Sequence, residues 1–388
     1  MCSEGVKKYP YFFIIYYLLH FSGFALFGVF IPIYLDSINY SQAAIGFLIS
    51  IGPVVTIIGQ PVWGSAADRA KNKVNILRTI LIGTVFSIII FSLSTNYIYL
   101  IVAISILTFF QSALSPLSSA ITLEYTERTG WKFGPIRVSG TLGYGIMAAI
   151  AGILLKNDMR VLFIMYVIVT ILAVVSTYMF PRFPGHQTEK SKVPMFSLLK
   201  SKKILKLMLF VLITHTFICF YDTFFSIYFK SLGAGNTLVG LSVALSALSE
   251  IPFIFFGDKI LEKLGAKRAI SCATLLLGVR WLLLGFVTAP YIILLLQLLH
   301  GPALVFLTFS IIVYVNSEMP KELKASGQAL YFMIYAGIAK IIGSALGGVL
   351  SDSIGVRNVF LIGFVMTVAA IAIFKNLFSN DDESLQVN

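Results

Sequence analysis

Asp222, Glu250, Arg280 and Lys340 stand inside apolar runs of a 388-residue chain. Such positions demand an account, because an ionised side chain at the centre of a bilayer costs at least about 2.5–3.5 kcal/mol on insertion scales. Two of the four are acidic and two basic, so their formal charges cancel, as in a set of groups that neutralise one another in a polar cavity. His215 precedes Asp222 by seven residues and shares nearly the same helix face, and His300 lies in a further apolar run. Ionisable groups so placed mark paths for solutes or ions. The competing reading of Glu250 and Arg280 is a buried ion pair that fixes packing, and that of His20 and His215 is a polar contact to a neighbouring helix. Trp281, beside Arg280, and Tyr221, Tyr331 and Tyr335 offer flat faces that stack on sugar rings or bases. Glu124 and Arg137 are placed to pair across a short connection, and the planar fork of an arginine suits carboxylates, hydroxyls or nucleobase acceptors. Asp68 and Arg69 lie in the stretch Gly59–Lys71, read as a loop, where a carboxylate facing the N-terminus of a helix starting near Ser326 would make a conformational latch. No Gly-rich phosphate loop, pair of catalytic carboxylates or nucleophile–histidine set is present. Cys2, Cys219 and Cys272 suggest neither a disulfide framework nor a metal motif, so no enzyme, metal or cofactor is expected.

The elements that must position these groups follow from composition. The chain is 58% hydrophobic and 12% charged, with a mean hydropathy of +0.90, against about 45–50% and about 25% in soluble proteins. A soluble enzyme and a disordered chain are excluded. Apolar segments fall near 10–35, 43–66, 75–94, 97–123, 135–156, 159–181, 204–229, 236–257, 268–287, 290–316, 326–350 and 356–376. They lack the alternation of a membrane β-barrel, which leaves helices. The expected fold is an all-α polytopic membrane protein of twelve transmembrane helices in two pseudo-symmetric six-helix bundles, 1–181 and 204–388. A cytoplasmic linker, 182–203, joins them, and its 195–203 end mixes apolar and cationic positions suited to a membrane surface or a solvated linker. Gly140, Gly143, Gly145, Gly343 and Gly347 recur at a spacing that lets helix backbones approach.

A net charge of +12 would suit nucleic acid if it were clustered. It lies instead in short loops, and no nucleic-acid partner is expected. Leaving out Arg137, Arg280 and Lys340, the side bearing the termini carries 22 lysines and arginines and the other side four: Lys156, Arg160, Lys230 and Arg357. Both termini are therefore expected in the cytoplasm of a cell-membrane protein. The apolar run after Lys7 and Lys8 is too long for a signal-peptide core and reads as a retained first helix.

Gly64-x-x-x-Asp68-Arg69 resembles the signature of the major facilitator superfamily. Gln60-Pro61-x-Trp63-Gly64, Phe133-Gly134-x-x-Arg137-x-x-Gly140 and His300 are similar to the branch holding lactose permease, nucleoside–proton symporters and phenylpropionate permease-like proteins. The resemblance implies that Glu124, Arg137, Glu250, Arg280 and His300 occupy sugar-binding and coupling positions, with Asp222 near an acidic position of helix seven. Ala303 departs from it, since a carboxylate is expected three residues after His300, and coupling would then fall to Glu250 or Asp222. The stretch Gly140–Gly152 contains no proline, unlike the helix-five signature typical of drug–proton antiporters.

These readings give one expectation: proton-coupled uptake of a small polar solute, a sugar or nucleoside, by a monomer that alternates access. Arg137, Glu250, Arg280, His300, Asp222 and Trp281 would bind it, Glu250, Asp222 and His300 would couple protons, and Asp68, Arg69 and Glu124 would gate. The alternatives are export of drugs or metabolites by proton antiport, uptake of an aromatic acid, and a membrane receptor that transports nothing.

Overall fold

The computed structural model describes residues 10–185, 198, 201–319 and 323–382, all helical or irregular with no strand among them. Eleven described helices are long and apolar enough to cross a membrane. They are α1 (Tyr11–Ser37), α2 (Gln42–Arg69), α3 (Lys73–Ser92), α4 (Tyr97–Thr129), α5 (Phe133–Leu154), α6 (Val161–Met179), α7 (Lys202–Ser231), α8 (Asn236–Leu264), α9 (Ala266–Phe286), α10 (Pro290–Ser317) and α11 (Ser326–Ile354). The twelfth, α12 (Val356–Asp382), has a shorter apolar part at Val356–Ala372. These segments match the hydropathy reading to within several residues at each end. The surface-lying stretch expected at 195–203 falls mostly outside the described residues.

Two compact units are present: Met1–Ile31 with Val54–Glu189, and Pro32–Pro53 with Lys190–Asn388. The chain thus leaves the first unit within α1 and returns to it within α2.

In the first unit α1 packs along α5 and α6, and α3 along α4 and α6. The α1–α5 seam is backbone-close: a Cβ on Gly143 would lie 2.2 Å from the Leu18 carbonyl oxygen. Ser139 Oγ donates to Ile14 O at 3.1 Å, and Ser22 Oγ donates to Gly143 O at 3.1 Å. Asn72 caps α3 by accepting from Val74 N at 3.1 Å, as asparagine commonly does. It also accepts from Phe183 N at 3.1 Å, and Gly185 N donates to Ala70 O at 2.9 Å, so the start of the expected linker is tied to the α2–α3 turn.

That turn is shorter than the sequence suggested. Expected from the sequence to be a loop, the stretch from Gly59 stays helical through Arg69 as part of α2. Ser65-Ala66-Ala67 has no helix breaker, and alanine is the best helix former. The Gly64–Arg69 signature therefore rides on the last turns of a helix.

The Gln60-Pro61-x-Trp63 motif faces a break in α4 at Ser112–Ala113. Pro116 has no N–H, so the Ser112 carbonyl loses its ordinary i+4 donor. Gln60 Nε2 donates to Ser112 O at 3.2 Å, and Trp63 Nε1 to Phe109 O at 3.0 Å. Gly59 permits the approach, since a Cβ there would lie 2.5 Å from Ser112 Oγ. The motif mends a broken helix.

In the second unit α9 packs on α12, α7 on α11 and α12, and α8 and α9 on α10. α10 changes winding twice, to a 3-10 turn at Gln297–Leu299 and a π turn at Gly301–Val305 around Pro302. Here too a neighbour supplies a missing partner: Gly301 N donates to Ser249 Oγ at 2.9 Å, whose own hydrogen goes to Ser246 O at 2.6 Å. α11 holds a π segment, Met333–Ala339, just before Lys340. The first turn of α2 belongs to this unit. Asp352 near the end of α11 accepts from Gln42 N through Oδ1 and from Ala43 N through Oδ2, each at 2.9 Å. A carboxylate at a helix N-terminus satisfies otherwise orphaned donors and meets the positive end of the helix dipole.

Candidate functional site

The charged residues of the second unit form a connected cluster. Arg280 is 1% exposed on α9. Its guanidinium carbon sits 4.2 Å over the Tyr221 ring of α7 and 5.7 Å from the ring of Trp281. Its Nη1 donates to His300 Nδ1 at 3.0 Å and its Nη2 to Gln297 Oε1 at 2.8 Å, both acceptors on α10. His300 Nε2 lies 3.3 Å from Glu250 Oε1 on α8. A guanidinium has no acceptor, so His300 Nδ1 must be the bare nitrogen and Nε2 must carry the proton given to Glu250. The chain Arg280 to His300 to Glu250 holds one cation, one neutral imidazole and one carboxylate.

Gln297, which sequence reading passed over, is the hub. It is fully buried, and its Oε1 accepts from Tyr221 hydroxyl at 2.6 Å, Ser246 Oγ at 3.0 Å and Arg280 Nη2. An arginine can only donate, which fixes which end of the amide faces it. A neutral amide raises no alarm in an apolar run. The available signal was spacing, since Gln297 lies three residues before His300 and shares its helix face.

The other candidates take separate places. Trp281 is fully buried and stacks on Phe360, centroids 5.8 Å apart. Asp222 is exposed on α7, within electrostatic reach of Tyr221, Tyr335 and Cys219. Lys340 Nζ contacts Thr223 Oγ1 at 3.4 Å. His215 is fully buried, with Nδ1 3.0 Å from Val211 O and Nε2 3.1 Å from the Tyr331 hydroxyl. The Tyr335 ring lies 4.7 Å from its imidazole, so two of the tyrosines read as stacking faces serve this histidine. The Tyr331 contact, on α11, agrees with the reading of His215 as a polar contact to a neighbouring helix.

In the first unit Arg137, half-buried on α5, places its guanidinium 4.0 Å over the Phe21 ring. Glu124 is bridged by Lys73 Nζ at 3.0 Å and by Arg128. Asp68 and Arg69 are exposed at the end of α2. His20 is buried, stacked on Tyr16 and 3.2 Å from Ser115 Oγ of α4.

A twelve-segment helical chain with a buried, charge-balanced cluster invites comparison with membrane carriers, and the MFS_1 like family matches residues 12–362. The chain belongs to that family. It is 25% identical over 361 residues to the maltose permease of Geobacillus stearothermophilus, covering 92% of this chain and 91% of that one. It is 23% identical over 380 residues to the multidrug resistance protein MdtG of Enterobacter lignolyticus, covering 92% and 88%. The crystal structure of the nucleoside transporter NupG superposes with a TM-score of 0.83 at 18% identity, over 95% of this chain and 98% of that one. The protein is a multi-pass membrane transporter of the major facilitator fold, not an enzyme.

Proposed function

We propose that this transporter takes up a small neutral polar solute, a sugar or nucleoside, together with protons, by alternating access. The observation that carries this reading is the Arg280–His300–Glu250 chain. It offers donors and acceptors for hydroxyls with no net charge to attract an anion, and one carboxylate hydrogen-bonded by a neutral imidazole. Glu250 is the proton carrier in this scheme, and Ala303 leaves no rival carboxylate on α10 beside His300. Arg280, His300 and Asp222 contact solute in the second bundle and Arg137 in the first, with Trp281 backing Arg280 from the core. Asp68, Arg69 and Glu124 gate the path. The names of the maltose permease and of NupG support the solute class.

The proposed arrangement is two six-helix bundles, 1–181 and 204–388, around the 182–203 linker, working as a monomer with both termini in the cytoplasm. Similarity to a multidrug resistance protein supports the opposite direction, export by antiport. Uptake into proteoliposomes of maltose, uridine and 3-phenylpropionate, with and without an imposed pH gradient, separates the readings. Gradient-driven uptake of maltose or uridine is expected. Uptake of the aromatic acid alone, or extrusion on acidifying the opposite side, overturns the proposal.

A further inference from the structure

We infer that Gln297 is a positioning residue: by holding the Arg280 guanidinium it sets the protonation pattern of His300 and so keeps Glu250 the group that exchanges protons. This rests on the reading of the cluster above. The geometry leaves little else to hold the guanidinium. Its face lies on Tyr221, which it also touches by a side-chain hydrogen bond, Nη1 meets His300, Nη2 meets Gln297, and Nε has no hydrogen-bond partner among the described residues. Of its two hydrogen bonds to α10, one is the interaction to be controlled and the other is Gln297.

The amide is itself well anchored. Tyr221 hydroxyl and Ser246 Oγ, from α7 and α8, converge on the same oxygen, and Gln297 Nε2 donates back to Ile293 O at 3.2 Å. Tyr221 and Arg280 fill the two lone pairs of that oxygen, with Ser246 Oγ sharing its one hydrogen between it and Ser242 O, so the amide cannot rotate without stranding buried groups. Gln297 also sits where α10 turns from α to 3-10 winding, one turn before Gly301, whose N–H is accepted by Ser249, the residue that precedes Glu250. The amide that aims Arg280 is thus built into the same joint that carries the carboxylate.

The groups facing His300 are Arg280 from α9, Glu250 from α8 and the Tyr221 ring from α7, centroids 6.0 Å apart. With Arg280 on Nδ1, that nitrogen cannot take a proton, and the imidazole remains a one-way bridge toward Glu250. Without Gln297 the guanidinium keeps one of its two partners on α10, is freer to turn, and leaves Nδ1 of His300 open.

The test reads the imidazole directly and needs no solute. The whole protein, labelled with nitrogen-15 in histidine and reconstituted in lipid, is examined by NMR between about pH 6 and pH 8, where a free imidazole titrates. The His300 signals are assigned by their loss in His300→Gln. The parent should show one imidazole form, Nδ1 bare and Nε2 protonated. Gln297→Leu should lose that fixed pattern. Gln297→Glu, which keeps an acceptor for all three donors, should restore it. Arg280→Lys, which keeps the charge but gives up the fork, should behave as Gln297→Leu does and stands in for it if the leucine variant does not fold. A bare Nδ1 that persists in Gln297→Leu or Arg280→Lys, equal disturbance by Glu and Leu at 297, or a protonated Nδ1 in the parent each overturns the inference. None of these outcomes depends on which solute is carried, so failure here is distinct from failure of the uptake reading.

Discussion

Glu250→Gln separates binding from coupling. The side-chain oxygen that accepts from His300 Nε2 at 3.3 Å is retained in the amide, so the cluster keeps its connection and the helices their packing. What is lost is the capacity to gain and release a proton. A hydrogen bond to a neutral acceptor is worth about 1 kcal/mol less than one to a charged acceptor. Solute affinity should therefore fall by roughly fivefold if Glu250 touches the solute. Coupling should fail altogether. One proton per solute, moving down a gradient of about one pH unit, supplies about 1.4 kcal/mol, enough for about tenfold accumulation. Sealed vesicles with an alkaline interior and labelled maltose or uridine give the measurement. The parent should approach that ratio. The variant should only equilibrate, with inside and outside concentrations equal, while still exchanging labelled for unlabelled solute. Full accumulation by Glu250→Gln at the parent's ratio would refute the assignment and move it to Asp222 with His300.

Gln60→Leu should strand the Ser112 carbonyl and cost about 1–3 kcal/mol of stability, read as a lower unfolding temperature in detergent; the loss should shrink when Pro116→Ala restores the native donor. Asp352→Ala removes the cap on α2 and should cost about 1 kcal/mol, seen as faster amide hydrogen exchange at Gln42 and Ala43; exchange unchanged at those two amides would show that the cap contributes nothing. In a background without native cysteines, a cysteine at Asn96 should react with an impermeant thiol reagent in intact cells and one at Lys71 should not, and the reverse pattern would invert the proposed orientation.

Hydropathy made the twelve segments legible because a bilayer forbids unpaired backbone, so each crossing must be one long apolar helix. The charged members of the cluster were legible for the same reason: Glu250 and Arg280 break apolar runs at a cost that needs an explanation. Gln297 was not, since an amide costs less to insert and its importance lies in three contacts from three other helices. The tautomer of His300 was likewise beyond sequence, because it depends on which of its two nitrogens Arg280 meets. At Gly59–Arg69, polar residues and proline imitated a loop where small residues continue a helix. His215 was read correctly as bonded to a neighbour, though its tyrosine partners had been assigned to stacking.

The two mended breaks carry a consequence for how the chain is made. Gln60 of α2 completes α4 at Ser112, and Ser249 of α8 completes α10 at Gly301. In each case the mending helix leaves the ribosome before the helix it mends. A proline-broken segment entering the bilayer thus meets a donor or acceptor already waiting there, and no bare peptide group need linger in hydrocarbon, where it would cost several kcal/mol. Order of synthesis becomes part of the solution to a hydrogen-bonding problem. A permuted chain that made the fourth helix first would present the Ser112 carbonyl to lipid and invite the quality-control proteases that patrol the membrane.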